Sequence, residues 1–404
     1  MTHRVGLLGT AFALSMLATS ALAQEPIRIG AINPYSGPVA LYGDEVARGY
    51  QLAIDEANAK GGVIGRKIEL LRGDASNPQQ GIAAVEKLVS DKADIFVGTY
   101  ISAVSNAASD AAMRYSKLYW DTNALASDLT ERGLPNFVRS GPYAANFAQV
   151  SANATRELLA PALGKPIKGL KVWIESEDSI YGTSIAKQQK ELLEKDGATV
   201  VGVGAHNFRA NDLTDSVLRA KAAAPDVWIN TGYVPDGNLL LRTMRDQGFA
   251  PQAILLVGTG DTFETLDALG ADYLQGIAVV GYPRPDQTES YGPGAAAYLA
   301  AYKKKYERDP IAPQGMAAYV GAKILLEAVA AAGSVEVEKV RAAAAKMDKP
   351  MKSYATGFGV KFDDKFQNTR ALPTVVQWQS GKIVTVYPKE AAQPDVKLVN
   401  LPRK

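Results

Sequence analysis

Loops at the ends of apolar runs carry the side chains of this chain that could hold a ligand. In Gly98-Thr-Tyr-Ile-Ser102 a short apolar segment feeds a glycine and hydroxyl loop, and a helix opens at Ser102. The free N–H groups and positive dipole end of such a helix form a receptor for a carboxylate or oxyanion that needs no formal cation. Ser102 also serves as a cap for its helix, and the two roles are compatible. Tyr100 lies in the same loop. Tyr42, in Ala40-Leu-Tyr-Gly-Asp44, stands at the entry to the first helix. Tyr181 opens a later helix in Ser179-Ile-Tyr-Gly182, and Tyr233 follows the turn Asn230-Thr-Gly. Tyrosine offers an apolar wall with one polar tip, which suits a binding cleft. Asn123 and Asp261 close two further loops, Asp121-Thr-Asn123 and Gly258-Thr-Gly-Asp261.

Signatures of catalysis are sparse. The chain has no Gly-x-Ser-x-Gly elbow and no phosphate loop ending in Gly-Lys-Ser/Thr, and Gly258-x-Gly260 lacks the third glycine of a dinucleotide site. With no cysteine and two histidines, His3 and His206, a nucleophile–base pair or a zinc site has few groups to draw on. His206 reads as a solvated residue at a strand end. Glu175, Glu177, Asp178 and the pair Asp363-Asp364 read as solvated loop charges. The 44 basic and 42 acidic side chains nearly cancel, which argues against nucleic acid or an acidic membrane surface as a partner. No cofactor and no metal are expected.

The elements that must position these loops alternate between strand and helix, which predicts an α/β fold with parallel sheets covered on both faces. Strands are expected at 27–32, 67–72, 94–97 and 118–120, with helices at 44–59, 79–90 and 102–114. The same grammar repeats with strands at 170–174, 199–204, 226–229, 253–257 and 275–280, and helices at 181–196, 212–223 and 236–247. Helices at 294–306, 314–332 and 336–346 follow, then short strands at 357–362, 375–379 and 383–387. In open parallel sheets, ligands bind beyond the carboxyl ends of the strands, where the loops named above lie.

Arg4 precedes an apolar run from Val5 to Ala18, and Ala21-Leu-Ala23 supplies the small residues of a cleavage site. Residues 1–23 therefore read as a signal peptide, removed before Gln24. About 380 residues remain, enough for two lobes. No cysteine is available after cleavage for a lipid anchor, and no second apolar run reaches spanning length, so no stable membrane insertion is expected.

The stretch Ser36-Gly-Pro-Val-Ala-Leu-Tyr-Gly-Asp-Glu-Val-Ala-Arg-Gly49, continuing to Asn58-Ala-Lys-Gly-Gly-Val-Ile-Gly65, closely resembles the opening of periplasmic solute-binding proteins of the leucine/isoleucine/valine-binding type. These are the receptors of ABC importers for amino acids, amides and related solutes. The resemblance implies two Rossmann-like lobes joined by a three-segment hinge, the type I periplasmic binding fold. Lobe 1 is expected at 24–141 plus 283–352, lobe 2 at 142–282 plus 353–390, and a peripheral tail at 391–404. It also implies a small-molecule ligand held by hinge closure and a transient inner-membrane ABC permease as partner. In relatives the serine at Ser102 and the amides behind it hold a ligand carboxylate, while aromatic residues at places matching Tyr42, Tyr181 and Tyr233 close over the ligand. The chain departs from that pattern in Trp120-Asp-Thr-Asn-Ala-Leu125, where Leu125 occupies the place of a ligand-contacting threonine. The acid that receives a ligand ammonium is expected near Gly260. Either Asp261 does that work after a small register shift, or the ammonium site is absent. An amino acid or amide is favoured; Leu125, Trp120 and the tyrosines would also suit an aromatic or aliphatic carboxylate. A periplasmic ligand sensor shares the same closure, and a secreted enzyme is the least favoured reading.

N-terminal sequencing of protein recovered from the periplasm is expected to begin at Gln24; a retained Met1 would overturn the signal-peptide reading.

Overall fold

A computed structural model describes residues 25–403, so the expected signal peptide lies outside the described residues. Fourteen strands are present among them. The strands β1 (Ile27–Asn33), β2 (Ile68–Asp74), β3 (Ile95–Gly98), β4 (Leu118–Asp121) and β5 (Phe137–Arg139) form one sheet, in the order β2-β1-β3-β4-β5 with every pair parallel. A second sheet is built from β6 (Lys171–Glu177), β7 (Thr199–His206), β8 (Val227–Thr231), β9 (Ala253–Val257) and β10 (Ala278–Gly281). The strands β11 (Asp348–Lys349) and β12 (Val360–Lys361) pair only with each other, while β13 (Thr374–Gln379) and β14 (Lys382–Tyr387) extend the second sheet. Its order is β14-β13-β10-β9-β8-β6-β7, parallel from β10 to β7 and antiparallel at β13 and β14.

Local sequence explains most of the elements. Runs such as Ile95-Phe-Val-Gly98 are buried throughout, as central parallel strands are. The helix Ala40–Ala59 turns Val46, Tyr50, Ala53 and Ile54 inward, and Gly62, at φ +90°, returns its N–H to the carbonyl of Ala57. Asn77 caps the helix Pro78–Ser90 by accepting from the Gln80 N–H, with Pro78 at the first helical position.

Several expectations need correction. Phe137–Arg139, beyond the last strand expected in the first run, is the edge strand of the first sheet. A helix from Ala144 to Ala162, with a π-helical stretch at Thr155–Leu159, follows it and was not expected. Residues 353–371, expected in lobe 2, pack against the first sheet. Phe362 meets the Trp120 ring edge-on at 5.7 Å, Gln367 accepts from Arg139 Nε at 2.5 Å, and Asn368 Nδ2 donates to the Ser140 carbonyl at 2.9 Å. Buried polar groups that find partners there hold the segment in place, which alternation of residue types does not encode. The expected strand at 357–362 shrinks to Val360–Lys361. The tail is not peripheral: Gln377 exchanges two hydrogen bonds with the Val399 backbone, and the Arg403 N–H reaches the Gln252 carbonyl. A second run does reach spanning length, the helix Gln314–Ala332, but most of it is buried as a core helix.

That helix crosses Ala40–Ala59 at very close range. A Cβ added at Gly49 would overlap the carbonyl oxygen of Gly315. Gly49→Ala is therefore expected to destabilise the protein by about 1–3 kcal/mol through overpacking, read as a lowered midpoint in denaturant unfolding.

Candidate functional site

The loop after β4 is built from its own polar groups. Asp121 Oδ1 accepts the N–H groups of Asn123 (3.1 Å) and Ala124 (2.9 Å), and Ser102 Oγ accepts those of Leu125 and Ala126, both at 3.2 Å. Arg139, fully buried, donates from beneath to the carbonyls of Ala124 (3.1 Å) and Ala126 (2.7 Å). Burial pushes the Asp121 carboxyl up to about 7, against the opposing pull of Ser105, Arg139 and the two amides. Ser102 thus braces the loop that carries Asn123 and Leu125.

From the second sheet, Tyr181 extends its hydroxyl over the strand ends, toward the carbonyls of Gly232 and Val257 at 3.3 Å each. Gly258, at φ +69°, leaves room for it; a Cβ there would strike the tyrosine oxygen. Tyr233 is set by its N–H, which donates to Asp236 Oδ1 at 3.0 Å at the start of the helix Val234–Asp246.

A small cavity lies where these loops converge, lined by Tyr100, Asn123, Leu125 and Gln314 with Tyr181, Tyr233, Gly258 and Tyr282. It leaves space for the centre of about one water, ≈ 10 Å³. Tyr100 meets Tyr233 edge-on at 5.5 Å, so rings from the two sheets touch directly. Tyr42 stacks behind Tyr100 at 4.4 Å, and Tyr181 and Phe208 flank Tyr233 at 5.2 and 4.9 Å. Two further bonds cross between the sheets: Arg209 Nη2 to the Ser76 carbonyl and Gln188 Nε2 to Ser127 Oγ, both 3.1 Å. Burial pushes the hydroxyls of Tyr42, Tyr100, Tyr181, Tyr233 and Tyr282 well above the ordinary phenol value, so all five stay protonated.

Five of the eight expected site residues line this cavity: Tyr100, Asn123, Leu125, Tyr181 and Tyr233. Tyr42 supports Tyr100 from behind, and Ser102 supports Leu125. Asp261 is buried outside the lining, with Oδ2 3.7 Å from Arg284 Nη1 and Oδ1 without a hydrogen-bond partner among the described residues. Burial raises its carboxyl and Arg284 opposes the rise. The sequence reading missed Tyr282 and Gln314. Tyr282 donates to the Asn123 carbonyl at 2.7 Å, and its place directly after a strand end was a usable signal. Gln314 opens its helix behind Pro313, and only tertiary packing brings it to the cleft. His206, Glu175 and Glu177 correct the expectation of solvated charges, because all three are buried at the ends of β6 and β7. A larger hollow of about 900 Å³ opens where Asn400–Arg403 cross Ala271 and Gln275, away from the strand ends that carry these loops.

Two α/β sheets with one aromatic-walled cleft at their facing carboxyl ends define a two-lobed binding protein. The chain belongs to the periplasmic binding protein family, which matches residues 26–382. The Leu/Ile/Val-binding protein homolog 7 of Brucella suis biovar 1 is 39% identical over 387 residues, covering 95% of this chain and 97% of that protein. Among solved structures, the branched-chain amino acid transporter substrate-binding protein LivJ of Streptococcus pneumoniae, in complex with isoleucine, superposes with TM-score 0.76 at 22% identity. That match covers 90% of this chain and all of LivJ. An ABC transporter solute-binding protein of R. palustris, in complex with 4-hydroxybenzoate, superposes with TM-score 0.77 at 23% identity, covering 93% of this chain and all of that one. The fold is thus the type I periplasmic binding fold, and the chain is a periplasmic solute-binding protein.

The bracing role of Ser102 predicts that Ser102→Ala costs about 1–3 kcal/mol of stability without any ligand, because two buried amides lose their acceptor. Urea unfolding of the ligand-free protein reads this directly.

Proposed function

We propose that this chain captures a small organic solute in the periplasm by closing its two lobes, and hands it to an ABC permease in the inner membrane. The observation that carries the reading is the cleft itself, whose lining comes from both sheets: Tyr100, Asn123 and Leu125 from the first, Tyr181, Tyr233 and Gly258 from the second. A solute seated there contacts both lobes only when they close, so binding energy shifts the open–closed equilibrium. The closed surface is then what a permease recognises. Family membership supports a receptor rather than an enzyme, and the leader at residues 1–23 supports export to the periplasm as soluble protein.

The favoured solute is an amino acid or amide. Asp261 supports this, since its buried Oδ1 is an unsatisfied acceptor that an ammonium or amide N–H would complete as the cleft rearranges around a ligand. Its field also reaches Tyr42 and Tyr100. Tyr42, Ser102 and Asp261 accordingly join the five lining residues as the proposed site. A second reading rests on Leu125 and the tyrosine wall. With an apolar side chain in place of a hydroxyl, and Arg284 already beside Asp261, the cleft also suits an aromatic or aliphatic carboxylate, the class that 4-hydroxybenzoate represents in the R. palustris neighbour.

A thermal-shift panel of amino acids, amides and aromatic acids, followed by calorimetry, separates the two. Asp261→Asn is expected to weaken amino-acid binding by about 1.5–3 kcal/mol, the scale of a hydrogen bond to a charged group. Binding of an amine-free carboxylate alone, unaffected by that substitution, would overturn the amino-acid reading and establish the second.

A further inference from the structure

We propose that His206 is a positioning residue for solute capture: its imidazole, held between Glu175 and Asp236, fixes Asp236 as the cap that sets Tyr233 in the cleft. This rests on the reading that Tyr233 lines the solute site. Nδ1 of His206 lies 3.1 Å from Glu175 Oε1, and Nε2 lies 3.0 Å from Asp236 Oδ2. The three side chains are almost fully shielded from solvent, at 1% exposure or less. A neutral imidazole carries one N–H and can satisfy one carboxylate; only the imidazolium donates to both.

The surroundings are shaped for this cluster. A Cβ at Gly204 would overlap Glu175 Oε2, and a Cβ at Gly232 would overlap Asp236 Oδ2, so two glycines open the space the carboxylates fill. Trp173 Nε1 donates to Glu175 Oε2 at 3.0 Å. The other oxygen of Asp236, Oδ1, takes the Tyr233 N–H at 3.0 Å. One unbroken chain of bonds therefore runs from Trp173 through Glu175, His206 and Asp236 to the backbone N–H of Tyr233, whose ring lines the cleft.

Charge makes His206 hard to replace. Glu177, next but one along β6, is a third buried carboxylate, held by Ser179 and the Gly182 N–H, and it acts electrostatically on Asp236 and Tyr233. The helix Thr214–Ala223 turns only Ser216, Val217 and Ala220 inward, and the helix Ile180–Lys195 buries no charged side chain. Arg209 acts on Tyr233 from the rim, where it reaches Ser76. Burial lowers the His206 pKa, but the bonds to Asp236 and Glu175 outweigh it and carry the group up to about 9. Because this lies above the ordinary histidine value of about 6.5, the stabilisation is complete below about pH 6.5 and is lost as pH rises through about 9.

Exported protein carries His206 as its one histidine, so its imidazole titration can be followed by NMR in the absence of any ligand. A midpoint above about 8 is expected, with the ring signals of Tyr233, assigned with Tyr233→Phe, shifting at the same midpoint. His206→Gln should remove that step from the tyrosine signals. With L-leucine as probe, His206→Gln should raise the Kd roughly fivefold or more at pH 7, and its Kd should lack the component of alkaline weakening that wild type shows beyond titration of the leucine amine. Tyr233 signals indifferent to His206 ionisation, or equal leucine affinity in the variant, would overturn the proposal. If His206→Gln does not fold, Asp236→Asn retains an acceptor for the Tyr233 N–H and should lower the His206 midpoint; an unchanged midpoint would overturn it. Wild type that binds no leucine would count against the amino-acid reading, while the ligand-free tyrosine titration still decides the role of His206.

Discussion

The cleft depends on one constraint: the backbone of residues 121–126 is buried and must find its hydrogen bonds inside the protein. Asp121 and Ser102 accept four consecutive N–H groups, and Arg139 donates to two carbonyls from below. A buried polar loop of this kind is rigid because any displacement leaves donors unpaired, at a cost of about 1–3 kcal/mol each. Asn123 and Leu125 are held in the cleft as a result. Arg139 is tied in turn to Gln367, so the segment 363–368 braces the same loop from the far end of the chain.

The second wall follows a different rule. Tyr181 and Tyr233 are aimed by backbone and carboxylate contacts at the ends of β6, β8 and β9, and the carboxylates concerned are buried with one imidazole among them. A first wall held mainly by a self-satisfied loop faces a second wall held by buried charge. Where they meet, Tyr100 and Tyr233 touch, and the Tyr282 hydroxyl grips the Asn123 carbonyl. A solute at the proposed site would have to part these aromatic contacts and replace them, so the same rings would be both its walls and its competitors.

Much of the architecture was legible from residue patterns. Short apolar runs predicted the central parallel strands, and the first helix ends at Ala59 as expected, just before Gly61-Gly62, because these signals depend on near neighbours along the chain. The edge strand Phe137–Arg139 was harder to read, since three residues carry no period. The helix 144–162 went unread although Ala144, Phe147, Ala148, Ser151 and Ala154 recur at helical spacing as its buried face. Of the candidate site, the loops at strand ends were readable because parallel sheets place ligands there. Tyr100, Asn123, Leu125, Tyr181 and Tyr233 all proved to meet, while Tyr282 and Gln314 came to the cleft by packing.

Sequence by itself determined the alternation of strands and helices, the strand-end loops and the family, since each rests on local periodicity or on residues contiguous in the chain. Tertiary structure alone decided which sheet receives residues 353–371, whether Ser102 braces a loop, and where His206 sits. The physical reason is common to all three. A buried polar side chain is placed by partners that are distant in sequence, as Arg139 is by Gln367 and His206 by Glu175 and Asp236. Such a residue looks like any surface charge until the partner that satisfies it is known.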